Sequence, residues 1–345
     1  MDFTTEKRII GKKKFIKFKN SNRDNFYKLL KKTYIGKGVE ASIYKGEYSL
    51  NNSSITIKIV ELKKLQKGKI QLLDYTVKKF FDIRNTNLIF KEHPSLIELI
   101  SYKLINQLIT QKICPNFSFN YFSTITENKF KNIGRIIFYN EYINFGNLKD
   151  FLNQIKTTNE ILFNILFQIM IGIIAIQKYF NMIHTDLHSM NILVQIVKPG
   201  GYWIYKLNNN KYYLPNLGFV LLLHDFGFSH IPKKLYINWH HKKIRHHKIY
   251  DLIDIIKIFL NNNLSREFKK VIEVCFVNEL SNIYYNKSMI DKFHTIFFKG
   301  KCENVLLNNN YSKIPQNSFI IEEYNLDKKF DKTKIQDNYK DLVIG

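Results

Sequence analysis

The chain has 345 residues, 45% of them apolar, which excludes a disordered polymer and suffices for one large domain or two units around a shared cleft. Its formal net charge is +24, but the lysines are scattered among abundant Asn, Ile, Phe and Tyr, a bias that an A+T-rich genome produces, so specific nucleic-acid binding is not expected. Three cysteines, Cys114, Cys275 and Cys302, are too few and too far apart for a disulfide framework and point to a reducing compartment.

Residues 1–32 read as a basic extension, and the first eight lack the apolar core of a signal peptide. Alternating β-branched and aromatic residues predict strands over 33–35, 42–46 and 54–60. Residues 61–92 are charged and read as an insertion of mixed helix and loop. Pro94 then opens a helix whose Leu96, Ile97, Ile100, Leu104, Ile105 and Leu108 recur at helical spacing. Strands are expected over 117–122 and 135–142, with a turn at 144–147. Helices follow over 148–154 and 160–180. The apolar run 161–176 contains Asn164, Gln168 and Gly172, and it is shorter than the ~20 residues of a bilayer span, so it reads as a buried helix. A hairpin is expected within 202–223, and helices over 249–262, 265–281 and 291–298. The polar residues 308–345 read as a loosely ordered tail.

The stretch His184-Thr185-Asp186-Leu187-His188-Ser189-Met190-Asn191 reads H-x-D-L-x-x-x-N between an apolar helix and an apolar strand. Thirty-four residues past Asn191, an apolar strand runs into Asp225-Phe226-Gly227. Phosphoryl transfer asks for these residue types: a carboxylate beside the attacking hydroxyl, and hard oxygen donors for Mg²⁺. Asp186 is the candidate for orienting and deprotonating the acceptor. Asn191 and Asp225 are the candidate metal ligands. His188 lies close enough to Asp186 to meet the transferred phosphate, and His184 reads as packing beneath the loop. Upstream, Gly36, Gly38, Ala41 and Ile43 fall in a hairpin matching G-x-G-x-x-G-x-V except at Ala41, an arrangement that lets backbone N–H groups approach phosphate oxygens. Lys58, between two isoleucines in the next strand, can neutralise α- and β-phosphates, and Glu98, or failing it Glu92, is the acid to hold it. The strand through 136–143 could offer backbone groups at Glu141 and Tyr142 to an adenine edge, with Asn140 behind; an internal strand without a ligand reads equally well. The cluster His240, His241, His246 and His247 lacks a local Cys or carboxylate to complete a zinc site and reads better as a basic, substrate-facing segment.

Together these motifs resemble the eukaryotic-like protein kinase superfamily over about residues 33–300, and in particular the divergent serine/threonine kinases of large DNA viruses of the poxvirus and iridovirus type. The resemblance implies an α+β, two-lobed fold: a small antiparallel β lobe at 33–143 and a mainly helical lobe at 144–307. It implies ATP with Mg²⁺ (or Mn²⁺), protein substrates, acidic ones among them, and a setting in the host-cell cytoplasm or the virion. Two departures stand out. Thr185 replaces the arginine of H-R-D, so no phosphorylated activation loop is expected to be required, and no A-P-E follows Asp225-Phe226-Gly227. Asp251 resembles the helix acid that braces the catalytic loop. The D-L-H form of that loop also occurs in small-molecule phosphotransferases of related fold, which keeps that reading open. A non-catalytic scaffold is the third reading.

Overall fold

The computed structural model describes residues 30–37, 41–48, 54–62, 90–91, 94–128, 133–231, 235–236, 249–260, 266–272, 311–316, 318–332 and 342–344. In chain order these form strands β1 (Leu30–Lys37), β2 (Ala41–Tyr48), β3 (Ser54–Leu62) and β4 (Phe90–Lys91), then helix α1 (Pro94–Thr110). Strands β5 (Asn120–Asn128), β6 (Ile133–Glu141) and β7 (Gly146–Asn147) lead to helices α2 (Leu148–Gln154) and α3 (Asn159–Phe180). Next come β8 (Ile192–Ile196), β9 (Tyr202–Leu207), β10 (Asn210–Pro215), β11 (Phe219–Leu223) and β12 (Leu235–Tyr236). Helices α4 (Ile249–Leu260) and α5 (Arg266–Ile272) and strands β13 (Ile320–Asn325) and β14 (Leu342–Ile344) follow.

The fold mixes helices with mainly antiparallel sheets. A six-stranded sheet has the order β1-β2-β3-β6-β5-β14. In β3 the residues alternate from Ile55 to Lys58 as the sequence pattern predicts: Ile55 and Ile57 are buried, while Thr56 and Lys58 stand half-buried on the opposite face, which they share with the buried Val60. Helix α1 opens at Pro94 and differs from the expected one-sided pattern, because every residue from Ser95 to Ile109 is buried. Its polar residues are therefore inside as well, and Asn106 uses its side chain to hold the backbone of Asn120.

The strand expected at 117–122 begins instead at Asn120. Residues 116–118 are drawn to the end of β11: Ser118 N–H donates to Leu223 O at 3.1 Å and Leu223 N–H to Asn116 O at 3.0 Å. Pairing with β6 therefore starts three residues later, at Asn120.

Helix α3 is capped by the Thr158 hydroxyl, which accepts from Ile161 N–H, and closes on Asn181 in the left-handed region. It is long and apolar enough to cross a bilayer, but 83% of its most apolar window is buried inside the fold. The polar interruptions explain why. Gln168 accepts from Leu221 N–H (2.7 Å) and Asn116 Nδ2 (3.1 Å), and Asn164 donates to Pro215 O (2.9 Å), so both knit the helix to β10 and β11.

The hairpin expected within 202–223 is β9–β10, turning at Asn208 and Asn209, both left-handed as a two-residue hairpin turn requires. The expected loose tail is corrected here. β13 adds to β9 in parallel, burying Ile321, Tyr324 and Leu326. Asp327 then accepts from the N–H groups of Asn208 (2.9 Å) and Asn209 (3.0 Å) and pairs with Lys178 (2.9 Å). Ile321 and Tyr324 stand three residues apart beside a register irregularity, so they break the period-two pattern of a strand, and their partner strand lies more than 110 residues upstream. Most of 61–92, the expected helix at 291–298, the histidine cluster and residues 1–29 lie outside the described residues.

Tyr324→Ala tests whether this segment is integral. Tyr324 is fully buried and stacks on Tyr205 at 5.7 Å, so its truncation should lower unfolding stability by ~3–5 kcal/mol in urea denaturation. A loose tail would move the midpoint negligibly.

Candidate active site

The H-x-D-L-x-x-x-N loop leaves α3 through Ile183, which exchanges two 2.8 Å backbone hydrogen bonds with His230. Thr185 is held left-handed (φ 65°), costly for a β-branched residue, and the surroundings over-determine it. Asp251 of α4 accepts from the N–H groups of His184 and Thr185, each at 3.1 Å, and from Gln177 Nε2 at 3.1 Å. The Thr185 hydroxyl donates to Phe228 O. His184 is buried, contacts the Phe226 ring and bonds His224 O through Nε2 at 3.0 Å, so it packs beneath the loop as its sequence position suggested.

Strands β8 and β11 are antiparallel partners, with Ile192 opposite Leu223. The residue before β8, Asn191, and those after β11, His224 and Asp225, therefore meet at one end, joined by the 2.9 Å bond from His224 N–H to Asn191 O. Asn191 Nδ2 donates to Asp186 O (2.9 Å) and Oδ2 (3.3 Å), which fixes the amide and leaves Oδ1 available. His188 accepts from Met190 N–H through Nδ1 (3.3 Å) and sets Nε2 3.8 Å from Asp186 Oδ2. In the neutral ring that assigns the proton to Nε2.

On the sheet side, Lys58 Nζ lies 2.9 and 2.8 Å from the two oxygens of Glu98 and 3.5 Å from Asp225 Oδ1. Burial opposes the lysine's charge, but Glu98 and Asp225 hold its pKa above the ordinary value. Burial pushes the Glu98 carboxyl up to about 7 against the pull of Lys58. Burial also works against the charge of Asp225, yet Lys58 wins and keeps that carboxyl below its usual range. Asp225 is itself left-handed (φ 58°), which turns its carboxylate back toward Lys58.

These groups surround a pocket of about 660 Å³, large enough for a nucleotide. Lys58, Glu98, Asp186, His188, Asn191 and Asp225 line it, as do Ala41, Ile43, Glu141 and Tyr142. Gly36 does not. It sits at a register shift in β1, a Cβ there would meet nothing within 4 Å, and its neighbours Ile35 and Lys37 line the pocket instead. Gly38 and Glu92 lie outside the described residues. Glu141 departs from expectation, because its N–H donates to Phe119 O (3.0 Å) and its carboxylate accepts from Phe119 N–H (2.7 Å). The backbone edge open to a base therefore starts beyond that N–H, toward Tyr142 and Ile143.

Sequence reasoning missed the group behind Lys58. Tyr102 OH and Ser118 Oγ converge on His224 Nδ1 at 3.0 and 2.9 Å. Burial and the nearby Lys58 push the His224 imidazole down to about 4, so it is neutral at physiological pH. Tyr102, one turn past Glu98 on the same helix, could have been found by extending the helical spacing. His224 could have been found as a polar residue ending an otherwise apolar strand.

A divalent cation suits the donor set. Asn191 Oδ1 and an ionised Asp225 are hard oxygens on one wall, and Mg²⁺ is held by one or two such ligands with phosphate oxygens and water completing the shell. Among the described residues no group of three or more His, Cys, Asp and Glu gathers, so an all-protein metal cage is not present there.

No protein-family profile matches the chain. Three relatives do. It is 24% identical over 214 residues to a probable serine/threonine-protein kinase of Invertebrate iridescent virus 6, covering 58% of this chain and 36% of that one. It is 26% identical over 151 residues to an uncharacterised protein of Invertebrate iridescent virus 3, covering 39% and 20%. It is 37% identical over 70 residues to a candidate serine/threonine-protein kinase of Frog virus 3 (isolate Goorha), covering 20% and 8%. These are distant viral relatives, and two carry kinase names. The chain spans well under half the length of each.

The raised Glu98 pKa sets opposite pH dependences for fold and site. A carboxyl at about 7 in the folded chain, against 4.5 as its ordinary value, gives stability that is complete below 4.5 and lost as pH rises through about 7. Charge on the pair follows the reverse course. Relative to Glu98→Gln, the wild type should lose stability in urea between pH 5 and pH 8, while its affinity for nucleotide rises over the same interval. A wild-type-minus-variant difference flat in pH contradicts the assignment.

Proposed function

We propose that the chain is a Mg²⁺- and ATP-dependent kinase of two-lobed fold that transfers the γ-phosphate to serine or threonine hydroxyls of proteins. One observation carries the reading: the Lys58–Glu98 ion pair reaches across from the sheet to α1 at 2.8 Å and faces Asp225, in the same pocket as Asp186 and Asn191. In this reading Lys58 neutralises and orients the α- and β-phosphates, and Glu98 keeps it in place. Asp186, oriented by the Asn191 amide, accepts the proton of the attacking hydroxyl. His188 Nε2–H stands ready to donate to the phosphoryl group in transit. Asn191 Oδ1 and Asp225 would hold the metal, and bound Mg²⁺ would supply charge neutralisation on the phosphate oxygens.

Thr185 supports independence from a phosphorylated loop. Where an arginine would await an external phosphate, its hydroxyl joins the catalytic loop directly to Phe228 O, beside Asp225. The viral relatives support a host-cell or virion setting. The exposed His188, in the D-L-H position, favours a small-molecule acceptor as the second reading.

Asp186→Asn should cut phosphoryl transfer at least ~10³-fold while nucleotide affinity stays within about threefold, and Lys58→Ala should weaken both. Radiolabelled ATP with a panel of acidic and basic proteins, followed by phosphoamino-acid analysis, provides the check. Wild-type turnover by Asp186→Asn sinks the role assignment. Nucleotide binding with no protein labelled moves the acceptor to a small molecule.

A further inference from the structure

A row of polar side chains crosses the sheet at the back of the pocket. Asn140 of β6 stands opposite Thr56 of β3 on one side and Asn120 of β5 on the other. The register shifts just after Asn120, and this irregularity sets its side chain toward Asn140.

The direction of each amide is fixed by its neighbours. Ser123 Oγ donates to Asn120 Oδ1 at 3.1 Å, and Asn120 Nδ2 donates to Phe122 O at 3.1 Å. The Phe122 carbonyl can only accept, so it fixes which end of the Asn120 amide is nitrogen; the Ser123 hydroxyl, able to donate or accept, is consistent with it. The same Nδ2 donates to Asn140 Oδ1 at 2.9 Å, so a flipped Asn140 would set amino group against amino group. Asn106 of α1 holds the Asn120 backbone through its own amide, accepting from Asn120 N–H at 3.2 Å. Asn140 is thus left with its Nδ2 unpartnered and buried, in a residue that forms part of the pocket wall. A buried donor without a partner is costly and calls for an acceptor.

We propose that Asn140 Nδ2 reads the nucleotide base, and that it makes the site accept 6-oxopurine triphosphates, GTP and ITP, alongside ATP. This deepens the kinase reading and rests on it. Adenine presents an N7 acceptor and an N6 amino donor along one edge, whereas guanine and hypoxanthine present two acceptors, N7 and O6. An asparagine that selects adenine uses both ends of its amide, accepting from N6 and donating to N7. Here the oxygen end faces Asn120. A donor alone finds acceptors at both O6 and N7 of a 6-oxopurine but only at N7 of adenine, whose amino group would oppose it.

The test measures kcat/KM for ATP, GTP and ITP with wild type, Asn140→Leu and Asn120→Ser, alongside equilibrium binding of the three nucleotides. ITP separates the 6-oxo group from the 2-amino group of guanine. Wild type should use GTP and ITP within about tenfold of ATP. Asn140→Leu should lower the GTP/ATP and ITP/ATP ratios at least ~10-fold, whatever its absolute rate. Asn120→Ser, which frees the Asn140 oxygen, should move preference toward ATP. Wild-type discrimination against both 6-oxo nucleotides by more than ~10³, or ratios unchanged in Asn140→Leu, overturns the proposal. Binding by the wild type decides even where a variant fails to fold. Use of ATP alone removes only this proposal, whereas binding of no purine nucleotide removes the kinase reading with it.

Discussion

The ion pair between Lys58 and Glu98 is the constraint on which the rest of the site depends. It joins a strand of the large sheet to a helix that is buried on every side, so Glu98 cannot turn to water for solvation and Lys58 reaches it only through the pocket. Bringing both charges out of water costs more than a surface pair would return, and removing one partner would leave the other uncompensated. The pair holds because two oxygens of Glu98 grip one ammonium and Asp225 adds a second negative charge from the third side. Sheet, helix and Asp225 turn must therefore arrive together for any of the three charges to be tolerable. An arrangement costly to the fold and useful to a triphosphate is what a binding site for polyanions needs.

Much of this was legible in the sequence because the relevant signals are local. Alternation gave β3 and so the face on which Lys58 stands, and Pro94 with helical spacing gave α1 and so Glu98. Polar groups at the ends of apolar strands gave Asn191 and Asp225. The β8–β11 pairing that brings these two together is a finding of the structure, because the sequence shows two short apolar strands and a hairpin between them but not their partnership. What was not legible depends on contacts between distant segments. Glu141 reads as an open strand edge until Phe119 takes up its N–H. The convergence of Tyr102 and Ser118 on His224 joins three elements that no periodicity links. The direction of the Asn140 amide is decided by the Phe122 carbonyl through Asn120, which no pattern of residue types encodes.

Conformational strain is concentrated where the chemistry is. Thr185 and Asp225, both left-handed, flank the site, and each is held by bonds from another segment. Asp251, buried beneath them, has its carboxyl raised by desolvation even while accepting from two backbone N–H groups. The loop therefore has little freedom to relax. Its geometry is set before any nucleotide arrives, which is the preorganisation that electrostatic catalysis requires.

The parallel addition of β13 to β9 bears on how the chain is made. During synthesis β9, β10 and the apolar face of α3 leave the ribosome more than a hundred residues before the strand that completes their sheet. Throughout that interval Tyr205 lacks its stacking partner Tyr324, and one edge of β9 lies open to pairing with other chains. Nascent polypeptides ending anywhere between β10 and β13 carry this open edge, which makes them the aggregation-prone species for this protein. Completion of the β10-β9-β13 sheet thus waits for translation of β13, well after the catalytic motifs have been made.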